Sequence, residues 1–323
     1  MPRSNKKILI TGGAGYIGQN LVSFFLNSKY QIYVIDNLST STMINKKIKE
    51  KIFFYKIDLT KKNQVKAFFK NKDFDLIIHL AAFSGVQEFN KNVLKSFNNN
   101  ILSTKNLVRF GFEKSKTKLI FSSSAAIYGK VSKDKITEFK AAKPVNYYGL
   151  SKLACENIIE NSLKKKRNNY AFLRYFNVVG SIVDFKIKKK VNALFDTVIN
   201  NIKKKKYKIN INGKNLNTKD GTPERDFIHI NDLCRIHKKA YKYLNTNKKI
   251  ILNCGSGVRH SVLSVIREFE KKTKKKFIIS YKITNSDETK TICADTSLLR
   301  NLFKINIEKK KLSDLVKDYL WKF

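Results

Sequence analysis

Cysteine, histidine and proline are all scarce in this sequence, at 4, 4 and 3 of its 323 residues. The cysteines are spread along the chain without a Cys-x-x-Cys pair, and the histidines are not spaced like metal ligands. This excludes the usual zinc sites and a disulfide framework. We therefore expect reduced cysteines and no bound metal. The residues concerned are Cys155, Cys234, Cys254, Cys293, His79, His229, His237 and His260.

Long apolar runs are also missing, although 42% of the residues are hydrophobic and 12% are aromatic. That composition is typical of a folded globule. None of the apolar runs reaches the roughly 18 residues that a membrane helix requires. The first residues, Met1 to Lys7, contain neither the apolar core nor the cleavage site of a signal peptide. We expect a cytoplasmic protein with no membrane partner.

Acidic residues are few relative to basic ones, 25 against 66, which gives a formal net charge of +41. Such a charge by itself favours nucleic acid or another anionic partner. However, the excess is nearly all lysine, and asparagine and isoleucine are also abundant. An AT-rich coding sequence produces this composition at surface positions that tolerate many residue types. The lysine-rich runs, at 164–167, 203–206 and 274–276, have almost no aromatic residues among them. We interpret them as solvated surfaces, expect no specific nucleic-acid partner, and expect the surplus charge to help attract an anionic substrate.

Short apolar runs alternate with helix-like segments over the first half of the chain. Lys6 to Thr11 predicts a strand, and Tyr16 to Leu26, with apolar residues at helical spacing, predicts a helix. This alternation indicates an α/β fold with a doubly wound parallel sheet of the Rossmann type. From about residue 178 the alternation weakens. We expect a dinucleotide-binding domain over 1–177 and a smaller, mixed α/β C-terminal substrate-binding lobe over 178–323, with a soft boundary and an interleaved chain. The further predicted strands are Gln31–Ile35, Ile52–Ile57, Asp75–His79, Lys118–Ser122 and Tyr170–Tyr175.

A glycine cluster stands between the first predicted strand and the first predicted helix. Gly12, Gly15 and Gly18 let the backbone turn tightly, approach a pyrophosphate and pack the helix closely on the sheet. About twenty residues later, Asp36 ends the second predicted strand, where a carboxylate binds the adenosine ribose hydroxyls. Because the carboxylate repels a 2′-phosphate, the pattern predicts binding of NAD rather than NADP.

A tyrosine and a lysine, Tyr148 and Lys152, occupy positions i and i+4 of another predicted helix and therefore lie on one face. A nearby fixed cation lowers the pKa of a phenol toward the range in which it acts as a general base. Ser124, near the end of a predicted strand, supplies a hydroxyl beside the tyrosine. We predict that these three residues are catalytic.

Further motifs are Asp58-Leu59, His79-Leu80-Ala81-Ala82, Leu173-Arg174-Tyr175-Phe176-Asn177, Gly221 to His229 and Asn253 to Gly257. Together with the motifs above, they occur in the order found in UDP-glucose 4-epimerases. Over nearly its whole length the sequence resembles this family of extended short-chain dehydrogenases/reductases. The resemblance implies that Asn177 and Arg225 contact a sugar nucleotide. It assigns NAD binding to Tyr16, Ile17, Asp36, Asn37, Asp58, Leu59, Ala81, Ala82 and Asn99, with Phe176 bordering the nicotinamide.

The activity implied by this resemblance is inversion at C4 of a UDP-sugar, UDP-glucose or UDP-galactose, through a transient 4-keto intermediate. The resemblance also implies a homodimer. Alternatives are another epimerase of the family, such as a UDP-glucuronate 4-epimerase, or a nucleotide-sugar dehydratase. Ala125 and Ala126, which follow Ser124, disfavour a dehydratase because that reaction needs an acid pair there. A binding protein that has lost turnover would be expected to have a broken tyrosine, lysine and serine set.

Three places depart from the epimerase pattern. Ser84 stands where many of these enzymes have a lysine near the nicotinamide, and Asn192-Ala193-Leu194 replaces Asn-Asn-Leu on the uridine side. An expected diphosphate-binding arginine is missing around 284–287, so Arg225 is the clearest phosphate ligand. These departures leave the dehydrogenase chemistry intact and leave the sugar open.

Overall fold

The computed structural model describes residues 6–28, 30–41, 44–84, 89, 92–113, 116–131, 134–183, 193–282, 290–305, 307 and 311–320. Two of the departures, Asn192 and the segment 284–287, lie outside these residues. The strands are β1 Lys7–Thr11, β2 Gln31–Asp36, β3 Phe53–Lys56, β4 Leu76–His79, β5 Lys118–Ser124, β6 Tyr170–Tyr175, β7 Asn177–Val179, β8 Lys208–Asn212, β9 Glu224–His229, β10 Lys249–Cys254, β11 Arg259–Ser261, β12 Ile278–Lys282 and β13 Thr291–Ile292.

The helices alternate with the strands as the pattern predicts. They are α1 Tyr16–Leu26, α2 Lys46–Lys49, α3 Lys62–Phe69, α4 Val93–Phe110, α5 Tyr147–Lys166, α6 Ala193–Lys203, α7 Ile230–Tyr243, α8 Val262–Thr273, α9 Ser297–Phe303 and α10 Leu312–Leu320, with a 3-10 helix at Ala125–Tyr128. The predicted helix Tyr16 to Leu26 is confirmed at both ends. Within the described parts of the chain, no helix is both long and apolar enough to cross a membrane.

The main sheet has seven parallel strands in the order β10-β6-β5-β4-β1-β2-β3. The doubly wound α/β prediction is confirmed. Apolar side chains fill both faces, with α1 and α7 on one side and α3, α4 and α5 on the other, which is why its strands read as nearly continuous apolar runs. Because β1 lies between β2 and β4, the crossovers on its two sides run in opposite directions. A crevice for ligands therefore opens at the carboxyl ends of β1 and β4.

The seventh strand of this sheet, β10, comes from late in the chain. Its residues Lys249–Cys254 pair with β6 from Lys249↔Tyr170 to Cys254↔Tyr175. The strand predictions omitted this segment, although its run Ile250 to Leu252 is apolar. The chain thus returns to the first sheet well after residue 177, and the division into 1–177 and 178–323 stays a prediction.

The remaining strands form smaller sheets. β9 pairs with β7, β11 and β13, and β8 pairs with β12. The core beneath them is aromatic. Phe195 of α6 is fully buried, with its ring centroid 5.4 Å from that of Phe227, 5.3 Å from Phe269 and 5.0 Å from Tyr319. One side chain therefore joins α6, β9, α8 and α10.

Replacing Phe195 by alanine should lower the free energy of unfolding by about 3–5 kcal/mol, since it leaves a cavity where these elements meet. The matched control is Phe139→Ala, because Phe139 is 89% exposed and its loss should change stability by no more than about 0.5 kcal/mol. Urea titration of both variants checks this. Equal losses in the two would contradict the packing role of Phe195.

Candidate functional site

The glycine turn lies at the carboxyl end of β1, at the crevice. Gly12 has a φ of +70°, and a Cβ there would lie 2.7 Å from the backbone nitrogen of Ala81. A Cβ on Gly18 would lie 2.4 Å from the carbonyl oxygen of Gly12. The helix α1 begins at N-cap Gly15 without a side-chain hydrogen bond and without an acidic residue in its first turn. This cradle has room for hydrogens only, and its helix N-terminus suits a phosphate.

Asp36 is fixed beside the turn at the end of β2. One carboxylate oxygen accepts from the backbone N–H of Ala14 at 3.0 Å, and the other accepts from Leu38 N at 2.8 Å and Ser41 Oγ at 3.0 Å. The predicted turn and carboxylate are thus brought together. Both features fit a dinucleotide, with the pyrophosphate at the glycines and the ribose at the carboxylate.

The other predicted cofactor residues follow β2, β3 and β4, apart from Ile17 in α1 and Asn99 in α4. Asp58 follows β3, and its Oδ1 accepts from the backbone and the hydroxyl of Thr60 at 2.9 and 2.7 Å. The carbonyl of Leu59 accepts from Asn106 Nδ2 at 2.9 Å. Ala81 donates its N–H to Thr11 Oγ1 at 3.3 Å. Ile17, Asn37, Ala82 and Asn99 are partly buried.

Tyr16 uses its side chain for another purpose. Its hydroxyl donates to the carbonyl of Gly180 at 2.6 Å, and so joins α1 to the segment after β7. A contact of Tyr16 with the cofactor stays a prediction.

The three predicted catalytic residues meet at the carboxyl end of β5. Helix α5 is capped by Asn146, whose side chain accepts from Gly149 N at 2.8 Å, so that Tyr148 lies in the first turn and Lys152 in the next. Ser124, the last residue of β5, is hydrogen-bonded through its side chain to Tyr148. Phe89 packs edge-on against the phenol, with the ring centroids 5.8 Å apart.

Lys152 is buried at the same place. Its ammonium donates to the carbonyl oxygen of Ser122 at 2.8 Å and lies 5.0 Å from the centroid of the Phe121 ring. Burial lowers the pKa of Lys152 to about 8, while Cys155 and Glu156 act in the opposite direction. The ammonium is thus mostly protonated at neutral pH.

Burial raises the pKa of Tyr148, and the hydrogen bond with Ser124 opposes that rise. The sequence prediction gave the lowering role to Lys152. In this structure the group that lowers the phenol pKa is Ser124, and the Lys152 ammonium donates to the Ser122 carbonyl. Stabilisation of a phenolate by Lys152 stays a prediction.

The predicted substrate residues Asn177 and Arg225 lie on β7 and β9, and Phe176, predicted to border the nicotinamide, directly precedes β7. Phe176 is buried between β6 and β7, and its N–H donates to the carbonyl of Cys254 at 3.0 Å. Asn177 Nδ2 donates to the carbonyl of Asp226 at 3.1 Å, and Arg225 donates to the carbonyls of Glu224 and Lys290 at 2.9 and 3.3 Å. Pairing of β7 with β9 therefore brings Asn177 into the same sheet as Arg225.

Sequence reasoning missed Asp226, which organises this side of the site. Its buried carboxylate accepts from the backbone of Ser256, Gly257 and Ala294 at 2.7, 2.9 and 3.0 Å. Burial raises the pKa of Asp226, and these hydrogen bonds lower it. The sequence feature that could have revealed Asp226 is an acidic residue next to the apolar pair Phe227 and Ile228 of a strand. A carboxylate buried in such a strand requires hydrogen-bond partners.

Asn100 was also missed, although its neighbour Asn99 was assigned. The side chain of Asn100 is buried, accepts from the N–H of Phe83 at 2.8 Å and donates to Ser151 Oγ at 3.2 Å. It therefore joins the segment after β4 to α5. Among the described residues, no group of three or more His, Cys, Asp or Glu is placed to hold a metal ion.

The model of the NAD dependent epimerase/dehydratase family matches residues 8–255, and this range includes all of the predicted site residues. The chain belongs to this family. Among its members, the UDP-glucose 4-epimerase of Bacillus subtilis is 35% identical over 277 residues, covering 82% of this chain and 81% of the relative.

Solved structures of family members superpose over nearly the whole chain. The UDP-Glc/GlcNAc 4-epimerase of Campylobacter jejuni is 33% identical with a TM-score of 0.84, covering 98% of this chain and 99% of the other. The UDP-glucose 4-epimerase of Stenotrophomonas maltophila, with bound NAD and formylated UDP-arabinopyranose, is 26% identical with a TM-score of 0.88, covering 98% of each chain. The fold and the epimerase resemblance are thereby confirmed.

The site also contains a buried histidine, His79 at the end of β4. Its Nδ1 lies 2.8 Å from Thr11 Oγ1 and its Nε2 lies 3.1 Å from Thr104 Oγ1. Burial, followed by the charge of Lys152, lowers the pKa of His79 to about 3. The fold therefore holds a neutral imidazole.

Acid should destabilise the protein through this histidine. Since its folded pKa lies below the ordinary value of about 6.5, its contribution is present above that pH and is lost as the pH falls toward about 3. Unfolding in urea at several pH values should give a shallower acid slope for His79→Gln than for the unchanged protein. Parallel slopes would contradict this assignment.

Proposed function

We propose that this protein is an NAD-dependent epimerase that inverts C4 of a UDP-sugar and interconverts UDP-glucose and UDP-galactose. The observation that carries the proposal is the meeting of Ser124, Tyr148 and Lys152 at the edge of the sheet that also holds the glycine turn. Each member has a defined contact: Ser124 with Tyr148, and Lys152 with the Ser122 carbonyl.

In this reaction Tyr148 accepts the proton of the sugar 4-hydroxyl as general base and returns it at the end of the cycle. Ser124 shares a hydrogen bond with the phenol and holds the reacting oxygen beside it. Lys152 provides a fixed positive charge. NAD held by the glycine turn and Asp36 would supply the acceptor and then the donor of the C4 hydride. The sugar passes through a 4-keto form, turns over within the site, and is reduced on its other face.

Choice of cofactor follows from Asp36. Its carboxylate is oriented by the hydrogen bonds from Ala14, Leu38 and Ser41, and a 2′-phosphate in this place would meet a negative charge. This supports NAD over NADP. The glycine turn and the N-terminus of α1 would hold the pyrophosphate.

The choice of substrate rests on three supports. Arg225 and Asn177 offer a guanidinium and an amide for a sugar nucleotide, and the relatives compared above act on UDP-sugars according to their names. Ala125 and Ala126 continue from Ser124 as a 3-10 helix and have no proton to donate, which argues against a dehydratase. Ser84, which is exposed, takes the place of the lysine that many of these enzymes carry.

Tyr148→Phe tests the function, because it removes one hydroxyl and preserves the ring. Conversion of UDP-galactose to UDP-glucose should fall by at least the ~10²- to 10⁴-fold that general-base catalysis supplies, with bound NAD content and melting temperature nearly unchanged. The matched control is Tyr147→Phe on the neighbouring residue, which is 57% exposed and should keep full activity. Retention of more than about a tenth of the rate by Tyr148→Phe would exclude the base role.

We also propose a homodimer formed through α4 and α5. Leu94 and Leu102 on α4 and Leu150 on α5 are 75%, 42% and 42% exposed, and the two helices pack side by side. Two copies of this pair would bury these side chains in a four-helix contact.

A location in the cytoplasm stays a prediction.

Light scattering of Leu102→Glu tests the dimer, because a charge at the centre of an apolar contact should disrupt it. We expect a monomer for this variant and a dimer for Leu302→Glu, whose leucine on α9 is equally exposed at 42%. A dimer in both variants would place the contact elsewhere.

A further inference from the structure

A buried ion pair lies directly beneath the catalytic residues. Glu156 follows Lys152 by one turn of α5 and is 3% exposed, and Arg174 on β6 is 6% exposed. Arg174 Nε donates to Glu156 Oε1 at 3.1 Å and Nη2 donates to Oε2 at 2.8 Å. The guanidinium therefore holds the carboxylate by a fork of two hydrogen bonds, which fixes its orientation.

The same carboxylate reaches the strand that carries the catalytic serine. Ser123 Oγ donates to Glu156 Oε1 at 2.5 Å. Ser123 stands between Ser122, whose carbonyl binds the Lys152 ammonium, and Ser124, which bonds Tyr148. One acidic side chain thus ties the helix that supplies Tyr148 and Lys152 to the strand end that supplies their partners.

Arg174 extends this connection to the far edge of the sheet. Its Nη1 donates to the hydroxyl of Tyr128 at 2.9 Å and to the carbonyl of Glu138 at 3.3 Å. The Tyr128 hydroxyl donates to Asn253 Oδ1 at 2.7 Å. Contacts from the 3-10 helix and from β10 therefore hold the guanidinium that orients Glu156.

The groups around Lys152 make Glu156 important for the protonation of the Lys152 amine. Helix α5 contributes Tyr148, Cys155 and Glu156, β4 contributes His79, and β6 contributes Arg174 through its bond to Glu156. β5 contributes the Ser122 carbonyl and the Phe121 ring, and α4 contributes the uncharged Thr104 and Asn100. His79 is neutral in the fold, and Glu156 is the carboxylate among these groups. Burial favours the uncharged amine, and Cys155 and then Glu156 oppose it.

We propose that Glu156 is a positioning residue of the epimerase. It locks α5 to the Ser122–Ser124 strand end, and it keeps the Lys152 ammonium charged at the pH at which the enzyme works. The kinetic part of this inference rests on the proposed function, and the electrostatic part does not. A purely structural ion pair would give a stability effect independent of Lys152, because a buried pair by itself is weak evidence for any further role.

The first experiment measures melting temperatures of Glu156→Gln between pH 6 and pH 9 in two backgrounds, unchanged and Lys152→Met. Below about pH 8 Lys152 is charged in the folded protein. The Glu156→Gln variant lacks the attraction between this charge and the Glu156 carboxylate. Above that pH the folded amine is neutral and this part of the loss disappears. The destabilisation by Glu156→Gln should therefore shrink as the pH rises toward about 8, and should be constant with pH in Lys152→Met.

The matched control is Glu160→Gln, one turn further along α5, where the carboxylate pairs with Lys249 and is 37% exposed. Its effect should not depend on Lys152. The same pH dependence for Glu156→Gln in both backgrounds would overturn the electrostatic part, whether or not the protein epimerises any sugar.

The second experiment compares kcat against pH. Glu156→Gln should move the basic limb to lower pH by about one unit, as expected for loss of a nearby opposite charge. Ser123→Ala removes one hydrogen bond and keeps the charge, so it should lower kcat and leave the limb in place. A Ser123→Ala variant with unchanged kcat would overturn the positioning part, and this variant decides that part even where Glu156→Gln fails to fold.

Discussion

The parallel pairing of the main sheet is the constraint on which the site depends. In a parallel sheet every strand ends at the same edge, and the position of β1 between β2 and β4 opens a crevice there. Gly12, Asp36, Asp58, Ala81 and Ser124 stand at or just beyond the ends of successive strands. Residues that are far apart in the sequence therefore line one edge, and the rigid sheet fixes their separations.

Burial sets the chemistry at this edge. Each ionisable group that the fold removes from water requires a partner or loses its charge. His79 is held neutral between two threonine hydroxyls, and Asp226 is held by backbone N–H groups. Lys152 is held by the Ser122 carbonyl, with Glu156 opposing the effect of burial. The charge states of these three groups thus follow from burial and from the partners that the fold provides.

The predicted substrate residues are positioned by strands that follow and re-enter the main sheet. β7 begins two residues after β6 ends, so Asn177 lies close to the carboxyl edge, and β9 pairs with β7. The hydroxyl of Tyr16 in α1 binds the Gly180 carbonyl just after β7. The return of the chain at β10 places Asn253 against Tyr128. These contacts join β7 and β9 to the carboxyl edge of the main sheet.

Local pattern in the sequence determined the glycine turn, helix α1 at both of its ends, the first six strands of the main sheet and the facing of Tyr148 and Lys152. Each of these depends on residues within about one helical turn or one strand of each other, where periodicity and backbone preference decide the structure. The tertiary structure alone decided that β10 completes the sheet, that Asp226 holds the loop beside Arg225, and that the side chain of Tyr16 binds Gly180. It also decided that Lys152 binds the Ser122 carbonyl while Ser124 acts on the phenol. These contacts join residues that are 24 to 164 positions apart, and a sequence pattern contains no information about which of its distant polar groups burial will force together.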